Sequence, residues 1–468
     1  MTRAIQKNRR QEIPAMHSIR AVAINTIKQA LRMKVAVVFT ILLLVLLPVL
    51  GFTATGDETL KGRLQTFVSY ALSLTSFLLC LLTIVVSIYT VTSDIDQRQI
   101  YTVITKPIRR YQLMLGKLLG VVVLDLVLLC LFSAIIYTIT IYTPKLTKPS
   151  EEELIEANNG FFTARASLNV PVEDVTKEVT VRYNELSSKG ALPADMPRDE
   201  IIAELTQQAQ LARRAAGVGD PLLWEFKNVK PLAENLFVRF KYDVSVNPPD
   251  SQVWGRWFAG DYNFFKYGTQ SKTPIYDEVH KHSVRDFHEI EIPAEVIPED
   301  GHLAVAFVND PRNSREVAII FPPDGLEVLY KADSFTSNFL RIVLLILFRL
   351  IFLACLGILA SSFLSFPVAI LFCFVVFFTA SFSGFVLESF DFLSENIGAV
   401  YSYSLRWVIK LLPEFDKYNP SKFLVPARLL TWSVLAKSAL LMVFIKAFLI
   451  LILSLIIFRY REIARITV

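Results

Sequence analysis

Three charged side chains lie within long apolar segments of the sequence: Asp125, Arg349 and Lys446. An unpartnered charge at the centre of a bilayer costs about 2.5–3.5 kcal/mol on insertion scales, so such residues usually face a partner or a water-filled cavity. A pair of Asp125 with Arg349 would be slightly offset in depth, which a long arginine side chain spans, and Lys446 is the rival partner. The pattern therefore predicts either a polar pathway or gate, or a salt bridge that fixes helix packing.

Histidines and cysteines are the other candidates for chemistry. His280 and His282 would share one face of a strand, with His288 nearby, and imidazoles are common ligands of transition metals. Their neighbours are ordinary polar residues without a cysteine, which favours a solvated strand over a metal site. The cysteines lie in apolar runs and predict neither a disulfide framework nor a thiolate site. They are Cys80, Cys130, Cys355 and Cys373.

Catalytic and nucleotide-binding patterns are missing from the sequence. The apolar segments contain no paired carboxylates, Ser-His arrangement or metal-ligand spacing, which argues against an intramembrane enzyme. The phosphate-binding pattern G-x-x-x-x-G-K-[ST] is also missing, because Gly116-Lys117 lacks the upstream glycine and the following hydroxyl residue. We therefore expect no catalytic, metal-binding or cofactor-binding residues in this chain, and no bound ATP.

Composition sets the class of protein. Of 468 residues, 53% are hydrophobic and only 19% are charged, with 35 phenylalanines. Soluble domains carry about 25% charged residues, so these values exclude a disordered chain and a plain soluble enzyme. The net charge of +5 is a weak excess and does not indicate nucleic-acid binding, which requires a concentrated basic face.

Six segments are apolar and long enough to cross a membrane, since about 20 helical residues span the hydrocarbon. They are Val35–Thr53, Phe67–Val91, Leu118–Ile141, Phe339–Leu359, Phe366–Leu387 and Lys437–Phe458. Lysine and arginine concentrate before the first segment, between the second and third, and after the sixth, and basic flanks of this kind face the cytoplasm. We expect an α-helical polytopic membrane protein with both termini cytoplasmic. Transmembrane helices one to three then lie in residues 35–142 and helices four to six in residues 337–468.

Residues 1–34 are predicted to form a cytoplasmic tail and an amphipathic basic helix. Apolar residues such as Ile19, Val22 and Ala23 recur there at helical spacing, and basic residues fill the other face. Such a helix lies in the membrane interface. It is either an elbow helix leading into a transporter or a generic juxtamembrane helix, and the segment alone does not separate the two.

The segment between the third and fourth spans, residues 143–336, is expected to form an extracytoplasmic α+β domain. Residues 149–218 read mostly as helix. From 222 to 330 the apolar period becomes two, as in Leu236–Val246, and proline-rich turns punctuate it. This pattern predicts an antiparallel β-sandwich, a fold that often binds carbohydrate. A second outer segment, residues 388–436, is predicted to be interfacial.

The loop after the second span combines an acidic start, a short amphipathic helix, a proline break and a basic corner. Asp94 and Asp96 suit a helix N-terminus, and Pro107 ends the helix because proline disfavours helix at the residue before it. A short helix tied to two spans would transmit a push from a cytoplasmic partner. The predicted coupling residues within 94–110 are Asp94, Asp96, Arg98, Ile100, Val103, Ile104, Lys106, Pro107, Arg109 and Arg110.

This loop resembles the first cytoplasmic loop of ABC transporter permeases of the type-2 export class. The family pattern is an acidic residue, an apolar-rich helix, Ser/Thr-Lys/Arg-Pro, an aliphatic residue, a variable position, an arginine and a later lysine. Thr105-Lys106-Pro107-Ile108, Arg110 and Lys117 match it. The tail Phe458 to Glu462 and the segment Ile409 to Pro413 are looser matches, and residues 143–336 depart from the family plan.

The resemblance implies a six-span half-transporter in the bacterial inner membrane. Residues Ile100 to Ile108 would be the coupling helix, docked on a separate ABC ATPase, expected in two copies, that binds ATP and magnesium. A second permease subunit, alike or different, would complete the pathway. The alternative is a membrane-anchored sensor, or a protein that binds cell-envelope glycan without transport. Substrate and direction are not indicated by the sequence.

Overall fold

The chain divides into two structural units, each described here by itself. The helical unit comprises Met1–Thr163 and Ser334–Val468, and the sheet unit comprises Ala164–Asp333. The computed structural model describes residues 15–96, 109–170, 174–190, 192, 197–229, 235–271, 273–314, 316–323, 325–391, 409 and 411–460. The division differs from the predicted boundaries at 143 and 336, because helix continues past residue 142 and the helical unit extends to Thr163.

Helices occupy both ends of the chain and three positions in its middle. They are α1 (Ala15–Leu31), α2 (Lys34–Thr53), α3 (Leu60–Asp96), α4 (Arg110–Thr147), α5 (Glu151–Gly160), α6 (Thr176–Ser188), α7 (Arg198–Ala212), α8 (Tyr262–Tyr267), α9 (Phe335–Ser361), α10 (Phe366–Ser381), α11 (Ser383–Asp391), α12 (Ser421–Leu424), α13 (Trp432–Ala439) and α14 (Phe448–Tyr460). Helices α6 to α8 belong to the sheet unit, and the rest belong to the helical unit.

Five helices of the described chain are long and apolar enough to cross a membrane, which makes this a multi-pass membrane protein. They are α2, α3, α4, α9 and the continuous helix Trp432–Tyr460. The predicted fifth span is different. Helix α10 has 16 residues, a rise of about 24 Å against about 30 Å of hydrocarbon, and the helix breaks at Phe382 before α11 begins.

Helices α3 and α9 form the centre of the helical unit. Of the most apolar window in each, 72% is buried, against 17% for α2 and for Trp432–Tyr460. The contact is close, because a Cβ added to Gly357 of α9 would meet the Ser87 hydroxyl at 1.9 Å. The peripheral helices instead expose apolar side chains such as Val38 and Phe444, as expected of a surface that faces lipid.

The last membrane helix contains a π-helical stretch, Leu440–Ala447, between α13 and α14. The π-helix is rare, and its wider turn frequently occurs at functional positions. Lys446 lies in this stretch. The π-helical stretch therefore includes Lys446, which is the lysine of this helix that lies deep in an apolar run.

Helix α1 packs along α4 through two glycines spaced four residues apart. A Cβ added to Gly116 would lie 2.6 Å from Val22 Cβ, and one added to Gly120 would lie 2.7 Å from Thr26 Cβ. Small residues allow two helix backbones to approach closely in membranes. The buried face of α1 accordingly carries small side chains, Ala23 and Thr26 among them, whereas Leu31 of its predicted apolar face is exposed.

The sheet unit contains three sheets. Its strands are β1 (Thr163–Asn169), β2 (Ala215–Ala216), β3 (Pro221–Phe226), β4 (Asn235–Phe240), β5 (Asp243–Val244), β6 (Gln252–Asp261), β7 (Tyr276–Ser283), β8 (His288–Pro293), β9 (Leu303–Asn309), β10 (Ile319–Ile320) and β11 (Leu326–Ser334). The strand orders are β1-β11-β4-β8, β2-β10-β5 and β3-β9-β6-β7. All the pairings with recorded registers are antiparallel, for example Val238 opposite Ile290 and Val328.

Most of the described residues between 149 and 218 are helical, as expected, and β1 (Thr163–Asn169) separates α5 from α6. One sequence expectation for this unit is corrected. The expected strand Leu236–Val246 is broken after Phe240. Its first half pairs in one sheet, and Asp243–Val244 pairs with β10 in another. The alternation of buried and more exposed residues does hold along β4, so the period was right and the strand length was wrong.

Aromatic side chains from different sheets form the core of the sheet unit. The ring centroids of Phe240 on β4 and Trp257 on β6 are 4.3 Å apart, and those of Trp257 and Phe307 are 4.9 Å apart. All three side chains are fully buried. Aromatic pairs of this kind add to the stabilisation that burial provides.

We predict that Gly120→Ala lowers the stability of the helical unit, although alanine favours helix over glycine by about 1 kcal/mol. The added methyl group meets Thr26 and the Ala23 carbonyl, and such overpacking costs about 1–3 kcal/mol. The thermal midpoint of the purified protein in nanodiscs should fall. Leu119→Ala, at an exposed neighbour on the same helix, is the control, and equal effects of both changes would contradict the close contact.

Candidate functional site

The two ends of the segment between α3 and α4 are joined by a buried ion pair. Lys117 Nζ lies 2.6 Å from Asp94 Oδ2, and both side chains are almost fully buried. Lys117 also donates to the Thr90 carbonyl, and Gln29 of α1 donates to Asp94 Oδ1 at 3.5 Å. These bonds connect α1, α3 and α4 to one another.

The start of α4 binds the last helix. Arg110 donates to the carbonyls of Phe458 and Arg459 at 3.3 and 2.9 Å, near the end of the described part of α14. Arg109 is the N-cap residue of α4, and its backbone N–H donates to Gln112 Oε1 at 2.8 Å. Both arginines thus fix the position at which α4 begins.

Several predicted coupling residues lie outside the described residues: Arg98, Ile100, Val103, Ile104, Lys106 and Pro107. One expectation about this segment is corrected. Asp94 and Asp96 were expected at the N-terminus of a short helix, but both belong to α3. Asp94 tolerates that position because Lys117 neutralises it.

Arg349, the predicted intramembrane cation of α9, binds backbone carbonyls. Its guanidinium donates to the carbonyls of Phe415 and Tyr418 at 2.9 and 3.5 Å, and to Ser76 Oγ at 3.3 Å. The guanidinium also lies over the Phe415 ring, 4.8 Å from its centroid. Since residues 412–420 are turns and bends rather than helix, these carbonyls need donors from elsewhere.

Lys446 also donates to a backbone carbonyl of this segment, and Arg341 donates to one further along the chain, between residues 425 and 431. Lys446 Nζ donates to the Leu412 carbonyl at 2.6 Å, and Arg341 donates to the Leu430 carbonyl at 3.2 Å. Asn338 contacts the segment twice, donating to the Arg428 carbonyl and accepting from the Leu430 N–H, both at 2.8 Å. Non-helical backbone that is buried away from water requires such partners, and these three side chains provide them.

Asp125 stands apart from these cations. It is 1% exposed, and neither of its carboxyl oxygens accepts a hydrogen bond from the residues that the structure describes. The expected pairing with Arg349 or Lys446 is therefore wrong, because both cations bind carbonyl groups of residues 412–418. The Thr83 hydroxyl of α3 lies beside the carboxyl.

Sequence reasoning missed Asn338 and Arg341, as well as a line of small polar residues on α3. Asn338 and Arg341 precede the most apolar part of α9 and resemble ordinary flanking residues. The α3 residues were detectable, because they recur at alternating spacings of four and three. They are Ser76, Cys80, Thr83, Ser87 and Thr90.

The three histidines of the sheet unit do come together. The ring centroids of His282 and His288 are 4.5 Å apart, and those of His280 and His282 are 5.5 Å apart. His280 Nε2 contacts the Tyr276 hydroxyl at 3.1 Å, and His288 Nε2 contacts the Ser283 carbonyl at 2.9 Å. Within the described ranges no three His, Cys, Asp or Glu residues are placed to hold a metal ion.

The histidine group is half-buried rather than solvated as the sequence predicted. Its members lie against Phe240, whose ring centroid is 5.2 Å from that of His282. Burial, together with the neighbouring imidazoles of His288 and His280, lowers the pKa of His282 from its ordinary value to about 4. A neutral His282 is therefore part of the folded sheet unit at neutral pH.

A cavity of about 540 Å³ lies in the sheet unit between α7 and β3. Its apolar wall includes Trp224 and Phe321, and the cations Arg214 and Lys266 also line it. Lys266 donates to the Tyr262 hydroxyl at 2.6 Å. Cavities of this size, mostly apolar with a few polar groups, are typical of small-molecule sites.

Comparison with known proteins assigns no family. No protein-family model, curated protein or solved structure matches this chain.

We predict that acid destabilises the sheet unit through His282. Its folded pKa is about 4 and its ordinary pKa is 6.5, so the unfolded chain binds more protons between these values. The stabilisation is fully present above pH 6.5 and is lost as the pH falls from 6.5 to 4. Urea unfolding of the full chain, followed by tryptophan fluorescence at several pH values, measures this loss.

The matched variants are His282→Phe, which fills the site without a titrating group, and His17→Phe on the exposed side of α1. His282→Phe should flatten the pH dependence between 6.5 and 4, and His17→Phe should leave it unchanged. An unaltered pH dependence in His282→Phe would contradict the assignment.

We predict that Arg349→Met destabilises the helical unit, because it leaves the carbonyls of Phe415 and Tyr418 without their donor. A hydrogen bond to a charged group contributes about 1.5–3 kcal/mol. Membrane abundance and the thermal midpoint should both fall, and Arg349→Lys should lose less because it keeps a cation. Lys437→Met, at an exposed position, is the control. Unchanged abundance and midpoint in Arg349→Met would contradict the packing role.

Proposed function

We propose that this chain is the membrane permease subunit of an ATP-driven ABC transporter, and that it is an exporter like the family it resembles. ATP hydrolysis would occur in a separate ATPase subunit, present in two copies, and a second permease subunit would complete the pathway. The sequence of the segment between α3 and α4 supports this, since it carries Thr105-Lys106-Pro107-Ile108 followed by Arg110.

The single observation that carries the proposal is the anchoring of that segment at both ends. Asp94 is bound to Lys117 and contacts Gln29, and Arg110 is bound to the end of α14. A segment fixed to α1, α3, α4 and α14 cannot be displaced without moving those helices. Such mechanical connection is what a coupling helix needs, because it must convert ATPase closure into reorientation of the spans.

The proposal includes the finer architecture expected from the sequence. Helices α10 and α11 together form the fifth of six crossings, both termini are cytoplasmic, and the membrane is the bacterial inner membrane. Residues 388–436 then lie at the outer side, with the described part held by Arg349 and Lys446. The sheet unit is an extracytoplasmic β-sandwich, supported by the aromatic contacts between its sheets.

We predict that an ABC ATPase co-purifies with the full-length protein from its native membrane. The double variant Ile104→Glu and Lys106→Glu should abolish this association, since it places acidic groups in the docking segment. The measurement is mass spectrometry of co-eluting subunits together with ATPase activity of the eluate.

Lys28→Glu is the matched control, because it reverses one basic charge on the exposed face of α1 and should leave the ATPase bound. The proposal is overturned if no ATPase accompanies the wild-type protein, or if the double variant retains it fully. Exposure of residue 101 to the periplasmic side in accessibility labelling would overturn it as well.

A membrane-anchored envelope-binding protein is the second candidate function, and the cavity beside Trp224 is the observation that favours it. The aromatic wall with Arg214 and Lys266 suits a ligand with an apolar or sugar face and an anionic group. Binding of cell-wall glycan fragments to the purified protein, without any ATPase partner, would favour this function over transport.

A further inference from the structure

A buried polar seam runs along α3 through the helical unit. Its residues alternate at spacings of four and three, which places them on one face of a helix. They are Ser76, Cys80, Thr83, Ser87 and Thr90, all buried. From Ser76 to Thr90 the seam rises about 21 Å, most of the hydrocarbon thickness.

The hydroxyl protons of the seam are already used within α3. Thr83 donates to the Leu79 carbonyl at 2.8 Å, Ser87 donates to the Ile84 carbonyl at 3.0 Å, and Thr90 donates to the Ser87 carbonyl at 3.2 Å. A hydroxyl has one proton and two lone pairs. The oxygens of these residues can therefore accept a further hydrogen bond but have no second proton to donate.

Asp125 of α4 faces this seam beside the Thr83 hydroxyl. The Asp125 side chain is 1% exposed, and no described group donates to either carboxyl oxygen. The Thr83 hydroxyl donates to the Leu79 carbonyl, and no hydrogen bond joins it to Asp125 among the described residues. A carboxylate buried without a donor is far less stable than the neutral acid.

The cations around the seam do not neutralise Asp125. Lys117 is paired with Asp94, and Arg349 donates to Ser76 and to carbonyl groups. The Cys80 thiol interacts electrostatically with both Asp125 and Arg349. The ionisable side chains of the other helices packed on α4, namely α1, α2 and α14, are exposed. They are His17, Arg20, Lys28, Lys34, Arg459 and Tyr460.

We propose that Asp125 is a proton-binding site in the middle of the helical unit, occupied in the conformation described here. The proton lies on one of the two carboxyl oxygens. Burying an isolated carboxylate costs far more than burying the neutral acid, which keeps the proton in place at neutral pH. The assignment does not depend on the proposed transport function.

The site is closed towards Asp94 by the contact of α3 with α9. At this contact Gly357 leaves no room for even a methyl group, because a Cβ would lie 1.9 Å from Ser87 Oγ. Proton exchange along the seam in that direction therefore requires α3 and α9 to separate. Occupancy of Asp125 is in this way linked to the packing of the two central helices.

Infrared spectroscopy of the full-length protein in lipid bilayers tests the proposal. The carbonyl stretch of a protonated carboxylic acid is well separated from the bands of a carboxylate. We expect the spectrum of wild type minus Asp125→Asn at pH 7 to contain the acid band.

Asp57→Asn is the matched control. Asp57 is an exposed acid in the same unit, bonded to Thr59, and an exposed aspartate is ionised at pH 7. Its difference spectrum should contain carboxylate bands and no acid band. The proposal is overturned if Asp125→Asn also removes carboxylate bands and no acid band.

If Asp125→Asn fails to fold, Asp125→Glu supplies the second measurement. Wild type and variant are then compared after labelling of all aspartates with carbon-13 at the side-chain carboxyl. The isotope-shifted acid band should be present in wild type and lost in the variant, whose carboxyl at this position is unlabelled. An isotope-shifted acid band of equal intensity in both would overturn the assignment.

Discussion

Backbone carbonyl groups that lie outside regular helix and away from water need donors from the protein. Residues 412–431, between α11 and α13, contain turns, irregular backbone and the short helix α12, so several of their carbonyls depend on side chains from the surrounding helices. Arg349, Lys446 and Asn338 supply those donors from three positions. Burying Arg349 and Lys446 costs free energy. Each offsets that cost because it donates to a backbone carbonyl that would otherwise lack this hydrogen bond.

The same chemistry recurs at the other end of the helical unit. Arg110 binds the terminal carbonyls of α14, and Lys117 binds both the Thr90 carbonyl and the Asp94 carboxylate. A buried charge left alone is strongly destabilising, whereas a fully bonded one fixes a single arrangement. Helix ends and irregular backbone are therefore joined by cations at two levels, with α3 and α9 packed closely between them. This rigidity makes the segment between α3 and α4 a suitable point of force application in the proposed transporter.

The sequence predicted the helical unit well because length and hydropathy determine a membrane span directly. Five of the six expected spans have helices of sufficient length, and the sixth falls short where α10 breaks at Phe382, a break that no proline or charge marks. The ion partners were not predictable. Asp125 and Arg349 have opposite charges and similar depth, yet the pairing depended on the path of residues 412–418, which hydropathy does not encode. Likewise, the period-two pattern identified the strands, but the change of sheet after Phe240 depends on tertiary contacts.

The π-helical stretch Leu440–Ala447 has a consequence for how the last helix is phased. A π-turn contains one more residue than an α-turn, and each residue of an α-helix advances the face by about 100°. Shortening the stretch by a single residue would rotate everything on one side of it relative to the other. Either Lys446 would turn away from Leu412, or the face of α14 that presents its terminal carbonyls to Arg110 would turn outward. The extra residue thus lets one continuous helix direct Lys446 to Leu412 and its carbonyls at Phe458 and Arg459 to Arg110. A regular α-helix would present these groups at a different angle to each other.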